Sequence, residues 1–387
     1  MIEIQDPKDC CGCTACANVC AHDAITMEPD ALGFLYPRVD KSKCVDCGLC
    51  DKVCAFNEDY DKSLNLPTPD VYGARHKDID EVMKSRSGAV FVVISDYVLE
   101  RGGVVYGAGY SDHFRVVHKR ATTRGERDEF RGSKYVQSDL TDIFKQVKED
   151  LKNGRVVLFS GTPCQTSGLN SYIGKKLRCN LILIDIVCHG VPSPYVWNDY
   201  LDYLESKYSE RIVRANFRDK IKYGWKAHVE TYTLASGKIC VSNLFTNLFY
   251  KHIMFRHSCE KCHFCNLSRP SDITLADMWD RENNFPEVNN DNRGESLILI
   301  NTEKGQEIFN IVKGTLYFFQ TTVDKLMQPN LKAPSKINPK RIQFEKDYEK
   351  YGFEKTSRKY GFIGWRVELN KVLRFISRVK RKINKIV

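Results

Sequence analysis

Beyond residue 70 the chain alternates runs of helical and strand character. "GAVFVVISDYVLERGG" (88–103) is apolar over a helix length and stops at Gly102-Gly103. "VVYGAGY" (104–110) and "FRVVHKRA" (114–121) have the pattern of paired strands. "LTDIFKQVKEDLKNG" (140–154) puts its apolar residues on one helical face and ends at Gly154. "RVVLFSG" (155–161) and "NLILIDIVCHG" (180–190) are near-continuous apolar runs, as buried parallel strands require, and "SPYVWNDYLDYLESKY" (193–208) is helical. The alternation predicts an α/β domain with an open, largely parallel sheet over residues 71–330.

The first 57 residues differ. "CCGCTACANVC" (10–20) and "CVDCGLCDKVC" (44–54) repeat the spacing C-x2-C-x2-C-x3-C, with short strands and turns predicted between them. Three cysteines of such a loop wrap three corners of a 4Fe–4S cube, and the fourth is carried to the other cluster. The expected sets are Cys10, Cys13, Cys16 and Cys54 for one cluster, and Cys44, Cys47, Cys50 and Cys20 for the other. Zinc sites favour paired C-x2-C motifs, and disulfides do not suit thiols at this density without a secretory signal. The expectation is an α+β ferredoxin-like two-cluster domain at 1–57. Ala21 and Ala55 stand where two-cluster ferredoxins usually carry proline. The polar, proline-bearing stretch 58–70 is the expected linker.

At 387 residues the chain exceeds a ferredoxin alone, and its 42% hydrophobic content is ample for a larger core. It shows neither a signal peptide nor a membrane-spanning run, so a cytoplasmic location is expected. The net charge of +10 is concentrated: residues 365–387 hold eight Lys or Arg and one Glu. That excludes a nucleic-acid face spread over a domain. The C-terminal extension 331–387 ends in "GWRVELNKVLRFISRVKRKINKIV" (364–387), whose apolar stripe and basic flanks predict an amphipathic helix. Its expected partner is an anionic membrane surface, touched peripherally at the inner face, or the chain's own core.

Two further cysteines sit at strand ends. Cys164 follows strand, Gly161, Thr162 and Pro163, which places it in the first turn of a helix. Cys188 closes the next strand. Carboxyl ends of neighbouring strands form the ligand crevice of open α/β sheets. With "CEKCHFC" (259–265) they suffice for a third cluster. Cys164, Cys188, Cys259 and Cys262 are the favoured ligands, over a set using Cys265 or a zinc site on the same residues.

"SRSGAVF", "GGVVYGA", "RGSKYVQSDL", "VLFSGTPCQTSGL", "DIVCHGVPSPYVW", "FRDKIKYGW" and "CEKCHFCNLSRPSDITLADMW" occur in an order that resembles the beta subunit of coenzyme F-420 (deazaflavin) hydrogenase and dehydrogenase. The similarity is to bacterial members with an N-terminal two-cluster ferredoxin domain, which often accompany polysaccharide biosynthesis genes. The resemblance implies an iron–sulfur flavoprotein with FAD against the third cluster. In that light Arg131, Ser133 and Lys134 suit flavin or substrate phosphates, and Arg218, Lys220 and Trp225 suit an acidic or planar ligand. Ser87-Gly88 matches a family turn, although Ala89 replaces its usual second glycine. The implied function is an oxidoreductase that passes electrons from a low-potential partner protein through the clusters and FAD to a small organic substrate. The alternative is a non-catalytic protein handing electrons to a partner enzyme. No catalytic residue is assigned.

Overall fold

The computed structural model describes residues 1–56, 59–279 and 291–364. The tail expected to form a basic amphipathic helix lies outside the described residues after Gly364.

The two cysteine runs frame a hairpin, β1 (Ile25–Pro29) against β2 (Leu35–Val39). Each run turns into a short helix, Ala15–Val19 or Leu49–Lys52. The backbone repeats with the sequence: Gly12 and Asp46 have φ of 70° and 50°, and Thr14 and Gly48 have 65° and 70°. Left-handed residues at equivalent positions reverse the chain tightly enough for consecutive cysteines to face one centre.

An eight-stranded sheet follows. Its strands are β3 (Asn65–His76), β4 (Val104–Tyr110), β5 (Val116–Ala121), β6 (Val157–Gly161), β7 (Leu181–Ile186), β11 (Ile273–Asp277), β12 (Ser296–Thr302) and β13 (Leu316–Thr321), in the order β13-β3-β12-β11-β7-β6-β4-β5. The central strands β11, β7, β6 and β4 are parallel, and the flanks β5, β12, β3 and β13 pair antiparallel. The centre is buried on both faces, as its unbroken apolar runs require. Val157, Phe159, Leu181 and Leu183 pack with helices Ile143–Lys152 and Pro163–Ile173; Leu158, Ile182 and Ile184 pack on the opposite face with Val90–Leu99 and Glu303–Val312. Each such side chain contributes about 1.5–3 kcal/mol by leaving water.

A three-stranded antiparallel sheet, β8 (Ile212–Asn216), β9 (Glu230–Leu234) and β10 (Ile239–Ser242), shares an aromatic core with helices Pro194–Tyr208 and Arg341–Lys359.

One boundary differs from expectation. β3 begins at Asn65, inside the stretch 58–70 expected to be linker. Pro67 and Pro69 fall where the β3–β12 ladder breaks, between the pairs Ile300–Asp70 and Thr302–Asn65, so neither proline removes a regular ladder bond.

Nor is the cysteine-rich segment tethered loosely. Leu32 and Phe34 enter the core containing Trp197 and Phe245, and Cys11, Cys13, Ala15 and Phe56 enter the one containing Phe144 and Leu169. Ser193 Oγ donates to the Leu32 carbonyl at 2.6 Å, and the Asn18 amide donates to the Thr141 carbonyl at 3.1 Å.

Candidate functional site

Cys10, Cys13, Cys16 and Cys54, the first expected set, lie together. The thiols of Cys13, Cys10 and Cys54 all act on Cys16, which burial and then these neighbours push above its ordinary value. Cys54, from the second run, therefore joins the first three. Cys20 and Cys50 pack around Ile2 and Ile25, accepting the Ala24 N–H at 3.4 Å and the Ile2 N–H at 3.3 Å. Cys47 is exposed. Four thiols on one centre suit an iron–sulfur cluster.

A second group of thiols lies at the carboxyl ends of β6 and β7. Thr162 caps helix Pro163–Ile173, with Gln165 Oε1 accepting the Thr162 N–H at 3.0 Å, and Cys164 stands in its first turn. Cys188 lies two residues past the end of β7 and is pushed up by burial and then by Cys259, Cys164 and Cys262. Cys259 accepts the Val191 N–H at 3.4 Å. Cys265 sits against Cys262 and near Cys188. The favoured four thus lie close together, and Cys265 belongs to the same group of thiols. Cys11, unassigned by spacing, lies between Cys13 and Cys164 and contacts both.

Between the small sheet and the loops after β3 and β5 opens a cavity of about 360 Å³. Arg131, Ser133, Lys134, Arg218 and Lys220, singled out in the sequence, all line it, joined by Lys84, Arg86 and Arg214 against Asp128 and Glu129. Arg131 pairs with Glu81 at 2.6 Å and Asp128 at 2.7 Å. Burial lowers both Lys134 and Lys220 to about 7. Arg86 and Arg218 converge on Asp277 Oδ2, each at 3.2 Å, and both donate to the Trp225 carbonyl. Arg86 Nε and Nη1 and Arg218 Nε are buried without a hydrogen-bond partner among the described residues. Two guanidinium groups thus share one carboxylate. From lining residue Phe217, ring contacts run through Tyr135 and Phe249 to His189, beside Cys188, with centroids 5.7, 5.2 and 5.2 Å apart.

Residues 9–57 match the 4Fe-4S dicluster domain, and residues 154–324 match the family described as the carboxy-terminal region of the coenzyme F420 hydrogenase/dehydrogenase beta subunit. Residues 154–324 are a domain of the coenzyme F420 hydrogenase/dehydrogenase beta-subunit family. A curated relative, the Coenzyme F420-dependent sulfite reductase of Methanocaldococcus jannaschii, is 25% identical over 342 residues, covering 86% of this chain and 51% of its own. The chain spans about half the length of that relative. A chain of the F420-reducing NiFe hydrogenase complex of Methanosarcina barkeri superposes with a TM-score of 0.45 at 17% identity, over 75% of this chain and 90% of that one.

Three of the residues singled out in the sequence do not reach the cavity lining. Ser87 Oγ donates to the Glu295 carbonyl, and Gly88 N–H donates to Ser296 Oγ at 3.0 Å. A Cβ on Gly88 would stand 2.3 Å from the Ala74 carbonyl oxygen, so the glycine is required by β3 and β12. Trp225 is 2% exposed and stacks on Trp279, with centroids 5.3 Å apart. It supplies the carbonyl that orients both arginines. Sequence reading missed Arg86 and Asp277. A basic residue beside the matched Ser87 was the available signal for Arg86; Asp277 carried none.

Proposed function

We propose that the chain is an iron–sulfur flavin oxidoreductase. Cys164, Cys188, Cys259 and Cys262 hold a third 4Fe–4S cluster, and the basic cavity holds the phosphate-bearing part of FAD. The observation that carries the reading is the Arg86–Arg218 pair, whose single carboxylate leaves buried N–H groups and positive charge for an anion to complete. Buried charge without compensation is expensive, and a bidentate guanidinium–phosphate contact supplies the compensation. Flavin, when bound, converts one-electron supply into the electron pair an organic substrate takes.

The chain's own residues divide the remaining work. Arg131, held by Glu81 and Asp128, keeps the loop with Ser133 and Lys134 against the cavity. Lys220, which donates to the Val82 and Ser87 carbonyls, fixes the opposite wall. Electrons enter from a low-potential donor protein at the second cluster. There Cys47 is exposed, with Val45 59% and Leu49 42% exposed beside it, an apolar rim suited to a transient redox partner.

Anaerobic purification followed by denaturation should release stoichiometric FAD from the wild type and far less from Arg86→Gln, with pyrophosphate competing for rebinding. A flavin-free wild type whose fluorescence titration with FAD shows no quenching overturns the reading.

A further inference from the structure

Arg256 is 1% exposed, and its guanidinium lies wholly inside the protein. Nε donates to the Cys10 carbonyl at 2.8 Å, Nη1 to Gln137 Oε1 at 3.1 Å, and Nη2 to the Leu35 carbonyl at 2.9 Å and Cys10 Sγ at 3.5 Å. The carbon of the fork stands 4.2 Å from the Tyr36 ring centroid. All these acceptors are neutral groups or a cysteine sulfur; the Asp30 carboxylate feels Arg256 at a distance, and no carboxylate pairs with Arg256 among the described residues. A buried cation without an anion costs several kcal/mol. The negative charge that repays it is that of the cluster held by Cys10, since a thiolate-bound 4Fe–4S cube is anionic.

The rest of the surroundings agree. Gly12, inside the cluster loop, leaves room for the fork: a Cβ there would lie 2.7 Å from Arg256 Nη1. The Arg256 N–H donates to the Val191 carbonyl at 3.0 Å, and its carbonyl accepts the Cys259 N–H at 3.1 Å. Arg256 therefore joins the loop of the first cluster, through its side chain, to the loops carrying Cys188 and Cys259, through its backbone. The second cluster, with exposed Cys47, is the more open to water, which favours its more highly charged reduced form, so the cation at the first has this hydration to outweigh.

We infer that Arg256 is the counter-cation of the first cluster, raises its potential above that of the second, and so makes it the exit from the ferredoxin pair. A cation and N–H···S donation stabilise the reduced cluster, which carries the extra negative charge. The step is a single-electron transfer: the first cluster is oxidised by one electron as the acceptor at Cys164 gains one, and no bond forms or breaks. The exit role rests on the third cluster proposed above. The potential does not, so a third site without iron would remove the exit and leave the potential difference intact.

The test is an EPR-monitored redox titration of the anaerobic full-length chain as wild type, Arg256→Lys and Arg256→Gln. The two N-terminal signals are assigned by Cys47→Ser, which empties the second cluster. In R256Q the signal retained in the Cys47 variant should lose at least tenfold in its reduced-to-oxidised ratio at fixed potential, about 59 mV for one electron. The other signal should stay in place. R256K, which keeps charge but cannot reach all the fork's acceptors, should shift the same signal by less. An unmoved first-cluster signal in R256Q, or equal shifts of both, overturns the inference. Should R256Q retain no iron, an R256K titration that superimposes on the wild type overturns it too.

Discussion

Gly168→Ala sets two effects of opposite sign against each other. Gly168 lies in the middle of helix Pro163–Ile173 with the cysteine loop seated on it. Alanine there should favour the helix by about 1 kcal/mol, because glycine is the more flexible residue in the unfolded chain. The added Cβ, however, would stand 2.7 Å from Cys13 Sγ and 2.8 Å from Cys13 Cβ. Nonbonded contacts of this kind settle near 3.5–4.0 Å, so the overlap approaches roughly 1 Å. A free Cys13 could rotate its sulfur away. A Cys13 bonded to iron could not, because the cluster fixes the rotamer. Rotation leaves Cys13 Cβ in place, so both states bear part of the overpacking cost of about 1–3 kcal/mol, which the helix gain offsets in the apo form, and the sulfur's share falls on the iron-loaded state alone. The expected result is a variant whose apo form has an unchanged or raised urea midpoint, while the anaerobically purified protein lacks about four of the roughly eight N-terminal irons. Iron and acid-labile sulfide analysis with EPR of the dithionite-reduced protein measures this. Full wild-type iron with an unaltered first-cluster signal would refute the placement of Cys13 against this helix.

Cys164→Ser should lower the iron content by about four atoms while leaving both N-terminal clusters reducible by dithionite. Cys265→Ser should leave iron unchanged, and a loss there would move the ligand set to Cys265. Burial holds Lys134 and Lys220 near 7, so an anion binds their protonated forms best. Pyrophosphate and FAD affinity should fall as pH rises from 6.5 to 8.5, and Lys134→Met should flatten the profile. The same lowered values mean that the unfolded chain binds more protons from about 7 to 10.5, so these lysines make stability rise with pH in that window. An affinity profile that is flat or rising in the wild type refutes their place in an anion site. Gly88→Ala should lower the urea midpoint by an amount worth about 1–3 kcal/mol, because both its nearest neighbours, the Ala74 oxygen at 2.3 Å and the Ser296 nitrogen at 2.8 Å, are backbone atoms. A native midpoint with lost flavin would instead restore Gly88 to the ligand site.

What was legible in the sequence was what local spacing dictates. The first cysteine run announces its need of a fourth thiol, which Cys54 stands ready to supply, because a loop of this spacing reaches only three corners of a cube. Thr162-Pro163 announces the start of the helix carrying Cys164, and the apolar runs of β6 and β7 announce a buried parallel centre. Contacts across long separations left no local trace. Ser87 and Gly88 lie opposite Glu295 and Ser296, which are 208 residues away, and this distant pairing accounts for both. Arg256 sits 246 residues from Cys10 and reads as one cation among many. β3 was hidden by two prolines that a central strand would not tolerate, except where its ladder breaks.

The two N-terminal clusters share a spacing and a backbone, yet the fold places them in opposite environments. Cys13 and Cys16 are 8% and 6% exposed, whereas Cys47 stands in solvent. The difference comes from what covers each loop. The first is closed by helix Pro163–Ile173 at Gly168, by Arg256 and by the loop of Cys259, fastened by the Lys8–Glu260 ion pair at 2.7 Å. The second lies against the extended N-terminal residues of its own segment, where the Met1 ammonium pairs with Asp51 at 2.8 Å and Asp46 at 3.1 Å. Carboxylates beside the outer cluster disfavour its reduced state, and a cation beside the inner one favours it. The Met1 ammonium offsets part of the outer carboxylates' effect, and on the inference above Arg256 outweighs the outer cluster's greater hydration, so that a symmetric motif acquires a gradient from its rim toward Cys164. The rigid seat on the α/β domain keeps the two ends of that gradient at a fixed separation, which a flexible tether would not do.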